Sequence, residues 1–135
     1  MDFSTLNWLA IVFATLAFYA IGALWYSPVL FGNIWMKEVN MTKDDAKNVN
    51  MAKIFTLTFL LSFIMVLNLA FFLNDPAIDA GMGAMYGFLT GFGWVAMAMI
   101  LTGLYEQRTW RYMAIHAGYM VIGFTTSGVI LGAWK

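Results

Sequence analysis

No cysteine occurs among the 135 residues, which removes disulfides, thiolate metal sites and thiol catalysis together. Charge is nearly as scarce. Only 10% of residues are Asp, Glu, Lys or Arg, and seven of each sign cancel to a formal net charge of zero. No basic field exists to hold nucleic acid, and no acidic tail to hold cations. His116 is the single histidine, so haem or metal binding lacks further ligands. No P-loop and no magnesium-binding carboxylate set is present. Nucleophilic hydrolysis needs a nucleophile beside a base and an orienting acid, and no acid is expected at the depth of His116. No cofactor and no enzymatic activity are expected from these residues.

Apolar residues fill the space that charge leaves. Of the chain, 62% is hydrophobic and 18% aromatic, against roughly 45–50% apolar in soluble proteins. A hydrocarbon core about 30 Å thick needs around 20 apolar residues of helix. Four stretches qualify: residues 6–26, 52–73, 82–105 and 110–134. Short joins make neighbouring helices antiparallel. The expected fold is therefore a single all-α membrane domain over residues 1–135, with four transmembrane helices in an antiparallel bundle. The first run follows Asp2 and no basic residue and ends in Trp25-Tyr26, which favours a retained span over a cleaved signal peptide.

Orientation follows from the basic residues. Lys37, Lys43, Lys47, Lys53, Arg108 and Arg111 fall on one side and only Lys135 on the other, so loops 27–51 and 106–109 are expected in the cytoplasm and both termini outside. Trp8 and Trp134 then sit at the outer headgroup level and Trp25 and Trp110 at the inner one. Trp94 falls near mid-span, where its indole N–H needs a partner or a neighbouring helix.

The connection after the first span carries its own pattern. Ser27-Pro28 reads as an N-cap with Pro at the first helical position, followed by an amphipathic stripe of Phe31, Trp35 and Val39. A short helix of this kind lies in the membrane interface. It can serve as a docking surface for a cytoplasmic partner or simply as an anchoring collar. Thr42-Lys43-Asp44-Asp45 resembles a capping box, and a helix is expected from Lys43 running straight into the second span.

Small residues mark where helices approach in a membrane. Ten of the twelve glycines lie from Gly81 onward. Gly83, Gly87 and Gly91 share one face of the third span, and Gly128 and Gly132 one face of the fourth, with Ala10 and Ala14 of the first able to approach. Such a ladder packs spans within the chain or joins two chains. His116 is the one ionisable side chain expected deep inside a span, and Tyr112, Tyr119, Gly123 and Ser127 share much of its face. It reads either as a proton relay or as a neutral imidazole hydrogen-bonded across the bundle. Asn68 of the second span is the next polar candidate, as an interhelical hydrogen-bonding residue. Asn74, Asp75 and Asp79 read as a cation site or, more simply, as turn and cap residues.

Gly22-Ala23-Leu24-Trp25-Tyr26-Ser27-Pro28, followed by Leu30-Phe31-Gly32 and Trp35, resembles the N-terminal signature of a small bacterial membrane family, domain of unknown function 1761. Ala117-Gly118-Tyr119 and the run from Gly128 to Trp134 resemble its C-terminal pattern. The resemblance implies a four-span protein of the bacterial inner membrane with no established activity and no assigned catalytic residues. Small multidrug exporters have similar length but depend on an intramembrane carboxylate, which the first span lacks. Membrane-associated glutathione-metabolising enzymes need a basic cofactor site, for which only Arg108 and Arg111 are at hand. The sequence thus points to a protein that acts by association, in contact with membrane lipids, as a homo-oligomer or an accessory subunit of a membrane complex. The alternative is a small transporter or channel with a polar path near His116, Tyr119 and Asn68.

Overall fold

The computed structural model describes residues 2–135. Four helices are long and apolar enough to cross a membrane: Trp8–Trp25, Met51–Phe72, Ala80–Tyr105 and Trp110–Ala133. Each begins at a side-chain cap. The oxygens of Asn7, Asn50, Asp79 and Thr109 accept the backbone N–H of Ala10, Lys53, Met82 and Tyr112, respectively, satisfying donors that hydrocarbon could not.

Two short helices, Gly32–Glu38 and Lys43–Lys47, join the first two spans. Pro28 does not open the first of them. The Ser27 hydroxyl donates back to the Leu24 carbonyl and the Ser27 carbonyl accepts from Leu30 and Gly32, so Ser27-Pro28 forms a turn and the helix starts four residues later. Gly32 is buried under that turn, where a Cβ would fall within 2.7 Å of the Ser27 carbonyl carbon and oxygen. Phe31 and Trp35 lean on the protein: Phe31 packs on Trp25 with ring centroids 4.7 Å apart and Trp35 edge-on to Tyr26 at 5.4 Å. Val29, Leu30 and Ile34 remain exposed.

Thr42 and Asp45 form the capping box, each backbone N–H bonded to the other's side chain at 3.0 Å. The helix does not run on into the second span. It stops at Asn48, and Asn50 caps a new start at Met51, because an Asn side chain that can bond a free N–H competes with helix continuation. Backbone and side-chain hydrogen bonds from Thr42 hold the Asp45 carboxyl below its ordinary value of 3.8. A lowered folded pKa means the box is at full strength above that value and weakens as pH falls through the lower one. Amide exchange at Thr42 and Asp45, corrected for intrinsic rate, should therefore accelerate only below pH 3.8. A flat corrected profile would contradict the reciprocal cap.

The fourth span is the hub. Gly83, Gly87 and Gly91 of the third span lie directly on it, and a Cβ at Gly83 or Gly87 would overlap the carbonyl oxygen of Gly128 or Phe124. The first span packs on the fourth as well, with Phe18 over Gly123, and its Ala10, Ile11, Ala14 and Phe18 are fully buried. Along the third span the buried positions continue from Gly91 to Ala96 and then Gly103. A step of five residues turns an α-helix by about 500°, which would swing Ala96 about 140° off the glycine face. Residues Leu89–Ala96 are π-helical instead, and the wider i→i+5 turn keeps Ala96 with the buried face. The same turn directs Trp94 outward. The residue is 72% exposed and its N–H has no partner among the described residues, so the expected partner or neighbouring helix is not supplied by them.

The bundle is open on one side. The second span packs chiefly on the first and the third on the fourth, and the two make no substantial interface with each other. Every residue from 51 to 61 is exposed, and this first half of the second span touches the rest mainly through Phe55 and Phe59 edge-on to Tyr19.

Candidate functional site

At one end of the bundle, the corner that terminates the first span meets the start of the fourth. Trp25 donates its indole N–H to the Ile115 carbonyl at 2.8 Å, and its ring covers Gly118, where a Cβ would lie 3.0 Å away. This fixes the next residue. Tyr26 Oη reaches His116 Nδ1 at 2.6 Å, while Tyr112 lies edge-on to the imidazole at 4.5 Å. Tyr119 stands edge-on to Tyr26 at 5.6 Å and donates its hydroxyl to the Phe18 carbonyl at 3.3 Å. It fits because position 22 is glycine: a Cβ there would be 2.7 Å from Tyr119 Oη.

Two neutral arrangements satisfy the short bond. Either the phenol donates to Nδ1 and the imidazole proton sits on Nε2, or Nδ1–H donates to the phenol oxygen. The ring borders a cleft of about 230 Å³, also lined by Met99, Thr102, Glu106, Tyr112 and Met113. Arg108 pairs with Glu106 at 3.2 Å and lies 5.0 Å from the centre of the Tyr112 ring. Thr109 ties the cluster to the connection between the first two spans by donating to Glu38 Oε2 at 2.6 Å. Among the described residues, no three His, Cys, Asp or Glu side chains converge as a metal set.

The cluster does not continue through the membrane. Phe18 is fully buried and stands edge-on to both Tyr119 and Phe124, with centroids 5.3 Å apart in each pair. Beyond this layer a second cavity of about 280 Å³ opens at the opposite end, beside the chain termini, with Thr5, Asn7, Asn74, Asp75 and Lys135 on its wall. Lys135 donates to the Leu73 carbonyl; burial lowers its pKa and nearby Asp75 opposes the shift. Asp75 accepts from the Ala77 N–H and Asp79 caps the third span, both within their own turn, whereas Asn74 donates to Thr5 Oγ1 and ties the turn to the N-terminal segment.

Of the polar residues singled out in the sequence, Tyr112, His116 and Tyr119 come together. Asn68 does not. It donates to the Ile64 carbonyl of its own helix at 2.8 Å and is exposed on the outer surface of the second span. Tyr26 is the partner that sequence spacing missed, because 90 positions separate it from His116. Its only signal was membership of the Trp-Tyr-Ser-Pro corner, which reads equally well as an interfacial belt.

Tyr26→Phe keeps the ring contacts and deletes one hydrogen bond. Interhelical bonds of this kind average about 0.6 kcal/mol, close to a threefold change in a local opening equilibrium. Protease cleavage between Phe31 and Val39 should rise by about that factor and the His116 Nδ1 nitrogen shift should move. An unchanged imidazole spectrum would refute the pairing.

No curated protein and no solved structure matches the chain significantly. One family does match, over residues 9–132, from the first span to the last and including the Trp-Tyr-Ser-Pro corner. The chain therefore belongs to the DUF1761 family, described as a protein of unknown function.

Proposed function

We propose that this DUF1761 protein is a non-enzymatic component of the bacterial inner membrane that works by association, as a homo-oligomer or as an accessory subunit of a membrane complex. The open side of the bundle carries the reading. Four spans that closed on themselves would each have two neighbours, whereas here the second and third spans have one main neighbour each. The side that carries six of the seven basic residues, in loops and in the first turns of the second and fourth spans, would then face the cytoplasm. In that orientation the turn after Pro28 and the Gly32–Glu38 helix, held by Glu38 to Thr109, present Val29, Leu30 and Ile34 to the inner interface. Native mass spectrometry after gentle extraction tests the proposal. A stoichiometric second copy or foreign subunit supports it, and a lone monomer at native abundance refutes it.

The transport alternative has less support. Asn68 faces away from the cluster, and Phe18 and Phe124 separate His116 from the outer cavity. A pH-dependent flux abolished by His116→Ala would favour it over association.

A further inference from the structure

The second span has an unpartnered face with a regular repeat. Ile54, Leu57, Leu61, Ile64 and Asn68 follow one another in steps of three, four, three and four, the a/d spacing of a helix seam that packs knobs into holes. All five are exposed. The face is distinct from the one that the chain uses itself, which runs through Ser62, Val66, Leu69 and Ala70. At its outer end the seam is bounded by Phe71, over which Phe3 packs edge-on at 4.9 Å.

Asn68 decides what covers this face. It lies four residues from the last residue of the helix, about 6 Å inside its outer end at 1.5 Å per residue. One amide proton goes to Ile64, which leaves the second proton and Oδ1 without a partner among the described residues. Lipid tails offer neither donor nor acceptor, and polar groups left unpaired in hydrocarbon are costly. Whatever covers the seam must therefore bring a donor and an acceptor to one depth beside an apolar ridge.

We infer that the occupant is a second copy of this chain, packed parallel through Ile54, Leu57, Leu61 and Ile64 with the two Asn68 amides bonded to each other. Two copies inserted in the same membrane have the same orientation, so a two-fold axis along the membrane normal brings Asn68 opposite Asn68 at the same depth without further tuning. The amide is its own complement: each Oδ1 accepts from the N–H that its partner's Ile64 bond leaves free. A foreign helix would have to supply a matched polar group at that height. A single Asn in an otherwise apolar seam also fixes register and the number of strands. The inference rests on the association reading and names the surface and partner it uses.

The absence of native cysteine allows a clean test. Single replacements Leu57→Cys, Leu61→Cys and Ile64→Cys are oxidised in native membranes, with Phe55→Cys and Phe63→Cys as controls on the faces turned toward the chain's own first span and core. A disulfide needs Cα atoms within about 7 Å. The first three should form covalent dimers and the controls should not. Asn68→Leu should weaken the dimer about three- to thirtyfold in detergent, the range of measured interhelical polar contacts, and Asn68→Gln should restore part of the loss. Cross-links of equal yield on every face, or an Asn68→Leu dimer as tight as the unsubstituted one, would overturn the inference. An oligomer seen by native mass with no cross-link along this seam overturns it while leaving the association reading intact. A monomer with no cross-link overturns both.

Discussion

Gly87→Leu separates the third span from the fourth. The Cβ alone would land on the Phe124 carbonyl oxygen, with the Phe124 carbonyl carbon at 2.9 Å and Thr125 Cα at 3.1 Å. These are backbone atoms of a helix interior and cannot rotate aside. The helices must part, and the contacts at Gly83, Gly91, Gly128 and Gly132 loosen with Gly87, since their backbones touch along the same line. Overpacking typically costs about 1–3 kcal/mol, and an obstacle made of backbone puts Gly87→Leu at the top of that range. In lipid the loss is not offset elsewhere, because hydrocarbon is as apolar as leucine and close packing supplies much of the cohesion.

A control sits six residues away. Gly93 has nothing within 4 Å of where its Cβ would be, so Gly93→Leu should leave thermal unfolding in detergent nearly unchanged while Gly87→Leu lowers the midpoint by several degrees or prevents recovery of folded protein. Equal effects at the two sites would place the third-span seam elsewhere.

That contrast marks where sequence reading ends. Gly87 and Gly93 belong to the same apolar, glycine-rich run, and nothing local separates the one under a neighbouring backbone from the one facing outward. The i, i+4 repeat of Gly83, Gly87 and Gly91 was legible, but whether it met the fourth span or another chain was not. The four spans were legible because length and absence of charge are the membrane's own criteria. Thr42 with Asp45 and Asp79 were legible because a cap is made within one turn. Asn50 was not, since an Asn next to an apolar run can end a helix or sit in it, and only the break after Asn48 reveals which.

The candidate site was half legible for a related reason. Tyr112, His116 and Tyr119 share a helix face and so show up by spacing. Tyr26 reaches them only because Gly22, Gly118 and the Trp25 indole let the first span lie close to the fourth. Long-range contacts of that kind leave no periodic trace. The π-helical stretch from Leu89 to Ala96 is similar: its cause is the need to keep Ala96 in line with Gly91, a property of the packed pair of helices and not of either sequence alone.

The layer above the site yields the second large effect. Phe18→Ala should cost about 3 kcal/mol, the lower end of the range for Phe→Ala in cores, because in lipid the transfer term shrinks and the cavity term remains. The ring fills the notch at Gly123 so closely that a Cβ there would lie 2.7–2.8 Å from three of its carbons. Gly123→Leu alone should therefore be destabilising as well, by overpacking. Together the two should cost less than the sum of their separate costs, since the leucine occupies space that the phenylalanine vacates. Such rescue appears in a double-mutant cycle as a coupling of about 1–3 kcal/mol, read from unfolding midpoints of the four proteins in one detergent. Simple additivity would mean that Phe18 and Gly123 do not meet, and with that the close approach of the first and fourth spans, on which the Tyr26–His116 bond depends, would fall.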